Sequence, residues 1–144
     1  PYGEPHQPAR VVEFAKRAQD LGAETVQLAD TVGVATAGEV GETFSAVHNA
    51  LPDLELGVHL HATPSSIRDK VKSALDAGCR LFDSAIGGIG GCPFAEDELV
   101  GNMDTLQLLP LLEEFGYRAD YTIDGLLDCA AEAQELQRKY GAGD

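Results

Sequence analysis

The stretch GVHLHATP, from Gly57 to Pro64, places two histidines two residues apart at the end of an apolar, β-prone run. In an extended strand, side chains at i and i+2 point to the same face, about 6.5–7 Å apart along the backbone. His59 and His61 therefore share one face where the strand LELGVHLH stops. Thr63 then reads as the cap of a helix with Pro64 in its first turn, and Gly78 closes that helix. A strand, a short turn and a helix make one βα unit, and the sequence on both sides repeats it.

Upstream, a helical period starts at Pro8, with Val11, Ala15 and Ala18 on one stripe, and Gly22 fits its left-handed end. ETVQLAD reads as a short buried strand ending at Asp30, and DTVG as a turn. Thr36 and Glu39 have capping-box spacing for a second helix, which runs to about Ala50 and is stopped by Pro52. Downstream, RLFDSA is a third strand leading into the glycine-rich IGGIGGCPFAEDELVGN. Two helices follow, roughly Met103 to Phe115 and Ile123 to Tyr140. AQDLG before the first strand echoes ALDAG before the third: a helix end, an aspartate, a glycine cap, a strand.

Alternating strands and helices with short turns indicate parallel βα units, in either a doubly wound sheet or a (βα)8 barrel. Asp30, His59, His61 and Asp83 all fall at or near the C-terminal ends of successive strands, and this repeated polar ring favours the barrel. A full barrel takes about 250 residues. The chain has 144. The expected α/β fold is therefore one partial TIM-barrel domain over residues 1–144, made of the last three βα strands and the C-terminal helices. The barrel's N-terminal half is expected outside the chain, which opens on Pro1 in a loop-like PYGEPHQP.

Charge narrows the function classes. With 24 Asp+Glu against 10 Lys+Arg, the chain lacks the basic surface that nucleic acid or an anionic membrane requires, so neither is expected as a partner. Nor does any stretch approach the roughly 20 apolar residues of a membrane helix. Cys79, Cys92 and Cys129 are odd in number and lack paired-ligand spacing, which reads as reduced thiols in a cytoplasmic protein.

Two same-face imidazoles can converge on one divalent cation, or each can bond a neighbouring carbonyl; the pattern alone leaves both open. Cys92 follows Gly87, Gly88, Gly90 and Gly91. It is either a small apolar residue at a loop boundary or a thiol carried close to a ligand to move a proton. No Lys-Ser/Thr follows the glycines, which excludes a P-loop. Asn102 reads as a helix N-cap or as an oxygen ligand to a metal. Asp30 reads as the start of its turn or as a group that bonds substrate.

LADTVGVATAGEV, GVHLHAT, DSAIGGIGGCPF and GN occur in an order and spacing that resemble the 3-hydroxy-3-methylglutaryl-CoA lyase family, over nearly the whole chain. The resemblance implies a metal-dependent TIM-barrel enzyme that cleaves an acyl-CoA by a retro-Claisen reaction, giving acetyl-CoA and acetoacetate. It implies His59, His61 and Asn102 as ligands to Mg²⁺ or Mn²⁺, and Cys92 as proton donor to the departing acetyl-CoA carbanion. It further implies His59 in proton transfer, Asp30 as a substrate-contacting or base-assisting residue, and Gly90 and Gly91 against substrate. An acyl-CoA partner follows, together with a homo-oligomer or association with the remaining half-barrel. Three departures from the family pattern stand out. Ala62 replaces the aspartate after HxH, the segment from Cys92 to Asn102 is a residue longer, and the arginine–aspartate pair of the first barrel strand has no counterpart here. Two other classes are weighed beside the lyase. One is a Claisen-condensing synthase of the isopropylmalate or homocitrate type, against which Ala62-Thr63 and GGCPF speak. The other is a half-barrel module without catalysis.

Overall fold

A computed structural model describes residues 5–90, 100–118 and 120–140. In chain order these residues form α1 (Pro8–Asp20), β1 (Thr25–Asp30), α2 (Ala37–Ala50), β2 (Glu55–Leu60), α3 (Ile67–Asp76), β3 (Phe82–Asp83), a 3₁₀ turn (Ile86–Gly88), α4 (Thr105–Glu114) and α5 (Ile123–Tyr140). The strands are parallel in the order β1-β2-β3. Ala29 stands opposite His59, and His59 opposite Asp83.

The echoed pentapeptides form the same structure. In each, the glycine adopts positive φ (Gly22 at 97°, Gly78 at 101°), and its N–H and the next one reach back to the last turn's carbonyls. This stop reverses the chain straight into a strand. The Thr36–Glu39 capping box is also present, with the Glu39 N–H donating to Thr36 Oγ1 at 3.2 Å and the Thr36 N–H to Glu39 Oε2 at 2.8 Å. The Thr36 N–H and hydroxyl, both donating to Glu39 Oε2 at 2.8 Å, hold the Glu39 carboxyl below the usual carboxylate range. Thr36→Ala should lower stability by about 1 kcal/mol, read as a shift of the denaturation midpoint with unchanged slope.

Strand alternation divides the sheet chemically. Val26 and Leu28 of β1 and Leu56, Val58 and Leu60 of β2 pack with Ala15, Val40, Phe44, Val47 and Ala74 from the helices. The opposite parity carries Gln27 and Ala29, then Gly57 and His59, a face without this apolar run. One sheet face is thus covered by a layer in which α1 packs on α2 and α2 on α3. The other is the polar face that a barrel turns inward. A second cluster, Ile67, Val71, Leu75, Met103 and Leu108, seats α4 against α3. Cys79 is fully buried, and burial pushes its thiol up to about 11, so it is an inert core residue.

Three sequence expectations shift. Helix α3 starts at Ile67 after Ser66, not at a Thr63 cap. The Thr63 carbonyl accepts from the Ser66 and Ile67 N–H groups while Ser65 and Ser66 hydroxyls bond Thr63, which winds an extra turn ahead of the helix. Strand β3 is only two residues long, because Ala85 leaves β2 to bond Met103 and Thr105. Helix α4 is capped by Asp104, whose side chain accepts from the Leu106 N–H at 3.0 Å, so Asn102 is not an N-cap.

Candidate functional site

Where β2 and β3 part, residues 102–104 fill the gap. Met103 N–H donates to the Leu60 carbonyl, Ala85 N–H donates to the Met103 carbonyl, and Asn102 forms an isolated bridge with His61. This wedge brings Asn102, some forty positions downstream, beside the second histidine.

The imidazoles of His59 and His61 lie with centroids 5.5 Å apart and planes at 61°. Their outer partners decide which nitrogen is free. His61 is buried, and its Nδ1 lies 2.7 Å from the Val100 carbonyl oxygen. A carbonyl only accepts, so Nδ1 carries the hydrogen and Nε2 keeps its lone pair. His59 Nδ1 lies 3.3 Å from Asp83 Oδ2, and a carboxylate fixes the same tautomer there. Among the described residues neither Nε2 has a hydrogen-bond partner, so both are open to a ligand. Asn102 donates one amide hydrogen to the Ile89 carbonyl at 2.8 Å, and its carboxamide oxygen, which carries the lone pairs, is the atom it can offer a cation. Two imidazole nitrogens and an amide oxygen suit a borderline divalent ion. Among the described residues no three His, Cys, Asp or Glu cluster so as to hold a metal by themselves.

Gly90 explains part of the glycine run. Its φ is 93°, its carbonyl accepts from the Asn102 N–H, and a Cβ there would lie 2.8 Å from Asn102 Nδ2. The absent side chain lets the loop lie against the candidate ligand. Gly91 and Cys92 fall outside the described residues.

Asp30 is placed differently from its expected role. It has the parity of Val26 and Leu28, so its carboxylate turns to the helix side of the sheet and not to the face of the histidines. There it is 9% exposed, accepting from Lys70 Nζ at 2.6 Å through Oδ2 and from the Ala35 N–H at 3.2 Å through Oδ1. In this arrangement it anchors the DTVG turn.

Reading the sequence missed Lys70 and Gln27. Lys70 occupies the buried stripe of α3 between Ile67 and Ala74, a place where an apolar residue is expected. Gln27 passes over Gly57, where a Cβ would collide with its carboxamide, and Nε2 donates to Asp83 Oδ1 at 3.3 Å. Gln27, Asp83 and His59 thus form one polar chain across all three strands. Asp83→Asn should weaken divalent-metal binding by roughly 10–100-fold while leaving the fold intact; calorimetric Mn²⁺ titration of the full-length variant reads this out.

The comparisons with known proteins agree with one another. Among named relatives, the mitochondrial hydroxymethylglutaryl-CoA lyase of cattle (Bos taurus) is 34% identical over 140 residues, covering 96% of this chain and 43% of its own. The cytoplasmic 3-hydroxy-3-methylglutaryl-CoA lyase of zebrafish (Danio rerio) is 39% identical, covering 81% and 34%. The (R)-citramalyl-CoA lyase of Chloroflexus aurantiacus is 36% identical, covering 83% and 38%. Among solved structures, the HMG-CoA lyase of Brucella melitensis superposes with a TM-score of 0.85 at 33% identity, over 96% of this chain and 48% of that one. An Acinetobacter baumannii HMG-CoA lyase, solved in complex with coenzyme A and 3-methylmalate, gives 0.76 at 30% identity, over 92% and 46%. The chain therefore spans between 34% and 48% of the length of these relatives, and its parallel βα units are those of part of a TIM barrel. With the family match extending from residue 3 to residue 132, across all three strands and the histidine pair, this chain belongs to the HMGL-like family.

Proposed function

We propose that the full-length protein is a divalent-metal-dependent carbon–carbon lyase that cleaves 3-hydroxy-3-methylglutaryl-CoA to acetyl-CoA and acetoacetate. The observation that carries this reading is the pair of imidazoles on one face, each with Nδ1 engaged and Nε2 unbonded among the described residues, beside the Asn102 carboxamide. His59, His61 and Asn102 would hold the ion, with Mg²⁺ or Mn²⁺ the candidates. When bound, such an ion lowers the pKa of the substrate's tertiary hydroxyl and orients the bond to be broken.

The hydroxyl proton passes to a base, the bond between the carbinol carbon and the thioester's α-carbon breaks, and the departing enolate takes a proton at carbon. Cys92 is assigned the last transfer, on the resemblance of GGCPF to the family's catalytic loop. Of the two roles assigned to His59, the ligand role fits its tautomer, because an Nε2 bound to a cation cannot also receive a proton. Asp30, held by Lys70, is assigned to positioning and not to proton transfer. Gly90 and Gly91 would bring the loop backbone to the substrate. The coenzyme A portion is inferred from the Acinetobacter complex, and a cytoplasmic setting from the zebrafish relative alone. Among the described residues no helix is long and apolar enough to cross a membrane.

The (R)-citramalyl-CoA lyase relative supplies a second reading with the same bond broken in a different acyl group. Full-length protein should be assayed with each thioester, with Mg²⁺ or Mn²⁺ and with chelator. Faster metal-dependent acetyl-CoA release from the hydroxymethylglutaryl thioester supports the proposal. Preference for the citramalyl thioester supports the second reading, and silence on both rejects acyl-CoA cleavage.

A further inference from the structure

Lys70 is a charged residue on a helix face built for the core. The buried residues of α3 are Ile67, Lys70, Val71, Ala74 and Leu75, and Lys70 keeps only 3% exposure. Its ammonium has three hydrogens and meets three acceptors: Asp30 Oδ2 at 2.6 Å, the His61 carbonyl at 3.0 Å and the Gly33 carbonyl at 3.1 Å. These acceptors belong to three segments: the end of β1, the DTVG turn, and the end of β2 where the histidines stand.

The contacts close into a ring. A Cβ at Gly33 would lie 3.0 Å from Val100 Cβ, so the turn held by Lys70 lies directly against Val100. Val100 in turn gives its carbonyl to the His61 ring at 2.7 Å. His61 is thus held at its backbone by Lys70 and at its ring by a residue that packs on the same turn. Ala62, next in the chain, packs with the Ile67–Val71 cluster and brings no polar side chain to this junction. Burying two charges costs more than a packed apolar pair unless every donor and acceptor is matched. Here they are matched to the loops around one histidine.

We propose that Lys70 is a positioning residue for the candidate metal site, fixing the direction in which His61 presents Nε2 by tying the ends of β1 and β2 to α3. This rests on the reading of His61 as a ligand. The rival account is that Lys70 only neutralises Asp30, and a paired removal separates the two.

The test compares full-length protein with Lys70→Met and with Asp30→Asn/Lys70→Met, which removes both charges. Three quantities are measured: the melting temperature, Mn²⁺ affinity by titration, and hydrogen exchange of residues 61–63 without metal. The single variant should melt lower and bind Mn²⁺ at least about 10-fold more weakly. The double variant should recover most of the melting temperature, yet keep the weak Mn²⁺ binding and faster exchange at residues 61–63. Recovery of both affinity and exchange in the double variant would overturn the proposal. Should the parent protein bind no Mn²⁺, it is the metal reading that fails, and exchange alone then decides: faster at 61–63 in the double variant sustains Lys70 as the anchor of His61, unchanged overturns it. If the single variant does not fold, the double variant still gives each comparison.

Discussion

His61→Ala in the full-length protein should lose Mn²⁺ affinity by more than the roughly 10–100-fold that removal of an outer partner costs. The side chain is 5% exposed and its neighbours leave it a single use. Its Nδ1 is spent on the Val100 carbonyl and its own carbonyl on Lys70, and among the described residues Nε2 has no partner. Alanine removes that ligand and also strips the Val100 carbonyl of its donor. A drop in melting temperature should therefore accompany the lost affinity. His59→Ala should show the affinity loss with a smaller thermal effect, since His59 is about two-fifths exposed and its partner Asp83 is open to solvent. Titration calorimetry and thermal melts on the two variants separate these outcomes.

Cys92→Ala should lower kcat for thioester cleavage by about 10²–10⁴-fold, the range for loss of a positioned acid, with Mn²⁺ affinity unchanged. The described ends of the chain on either side of this cysteine both lie at the histidines. Gly90 lies against Asn102, and Val100 bonds His61. Cys92 itself falls outside the described residues, and its assignment rests on the resemblance of GGCPF to the family's catalytic loop. If kcat falls together with metal affinity, the cysteine supports the site and does not transfer a proton. Cys79→Ala makes the contrast: this thiol lies in the core with its pKa raised by burial, so its loss should affect stability and leave the kcat of folded enzyme unchanged.

What the sequence made legible was whatever depends on covalent periodicity. The shared face of His59 and His61 follows from strand alternation, and the capping box and the two glycine stops follow from backbone chemistry over four or five residues. The same alternation sets Asp30 apart from the histidines, although its place at a strand end groups it with them. Asp30 keeps step with Val26 and Leu28, and that parity outweighs its position at a strand end. Lys70 was missed, although it is one lysine in an apolar stripe, because its three acceptors come from segments that only the fold assembles. The Val100 carbonyl could not be read at all, because a backbone acceptor has no residue signature and lies 39 positions from the ring it orients. Of Asn102 and Asp104, the sequence reading makes only the first a cap, although asparagine and aspartate cap helices equally well by residue type. Only the wedge of residues 102–104 between β2 and Ala85 assigns capping to one and leaves the other beside His61.

The most direct test of the central claim is to locate the ion. Crystals of the full-length protein grown with Mn²⁺, with anomalous data collected at the manganese edge, should show one peak within bonding distance of Nε2 of both His59 and His61 and of the Asn102 carboxamide oxygen. A well-ordered site with no anomalous peak at these atoms, or with manganese bound elsewhere while both imidazoles bond protein carbonyls, would contradict it.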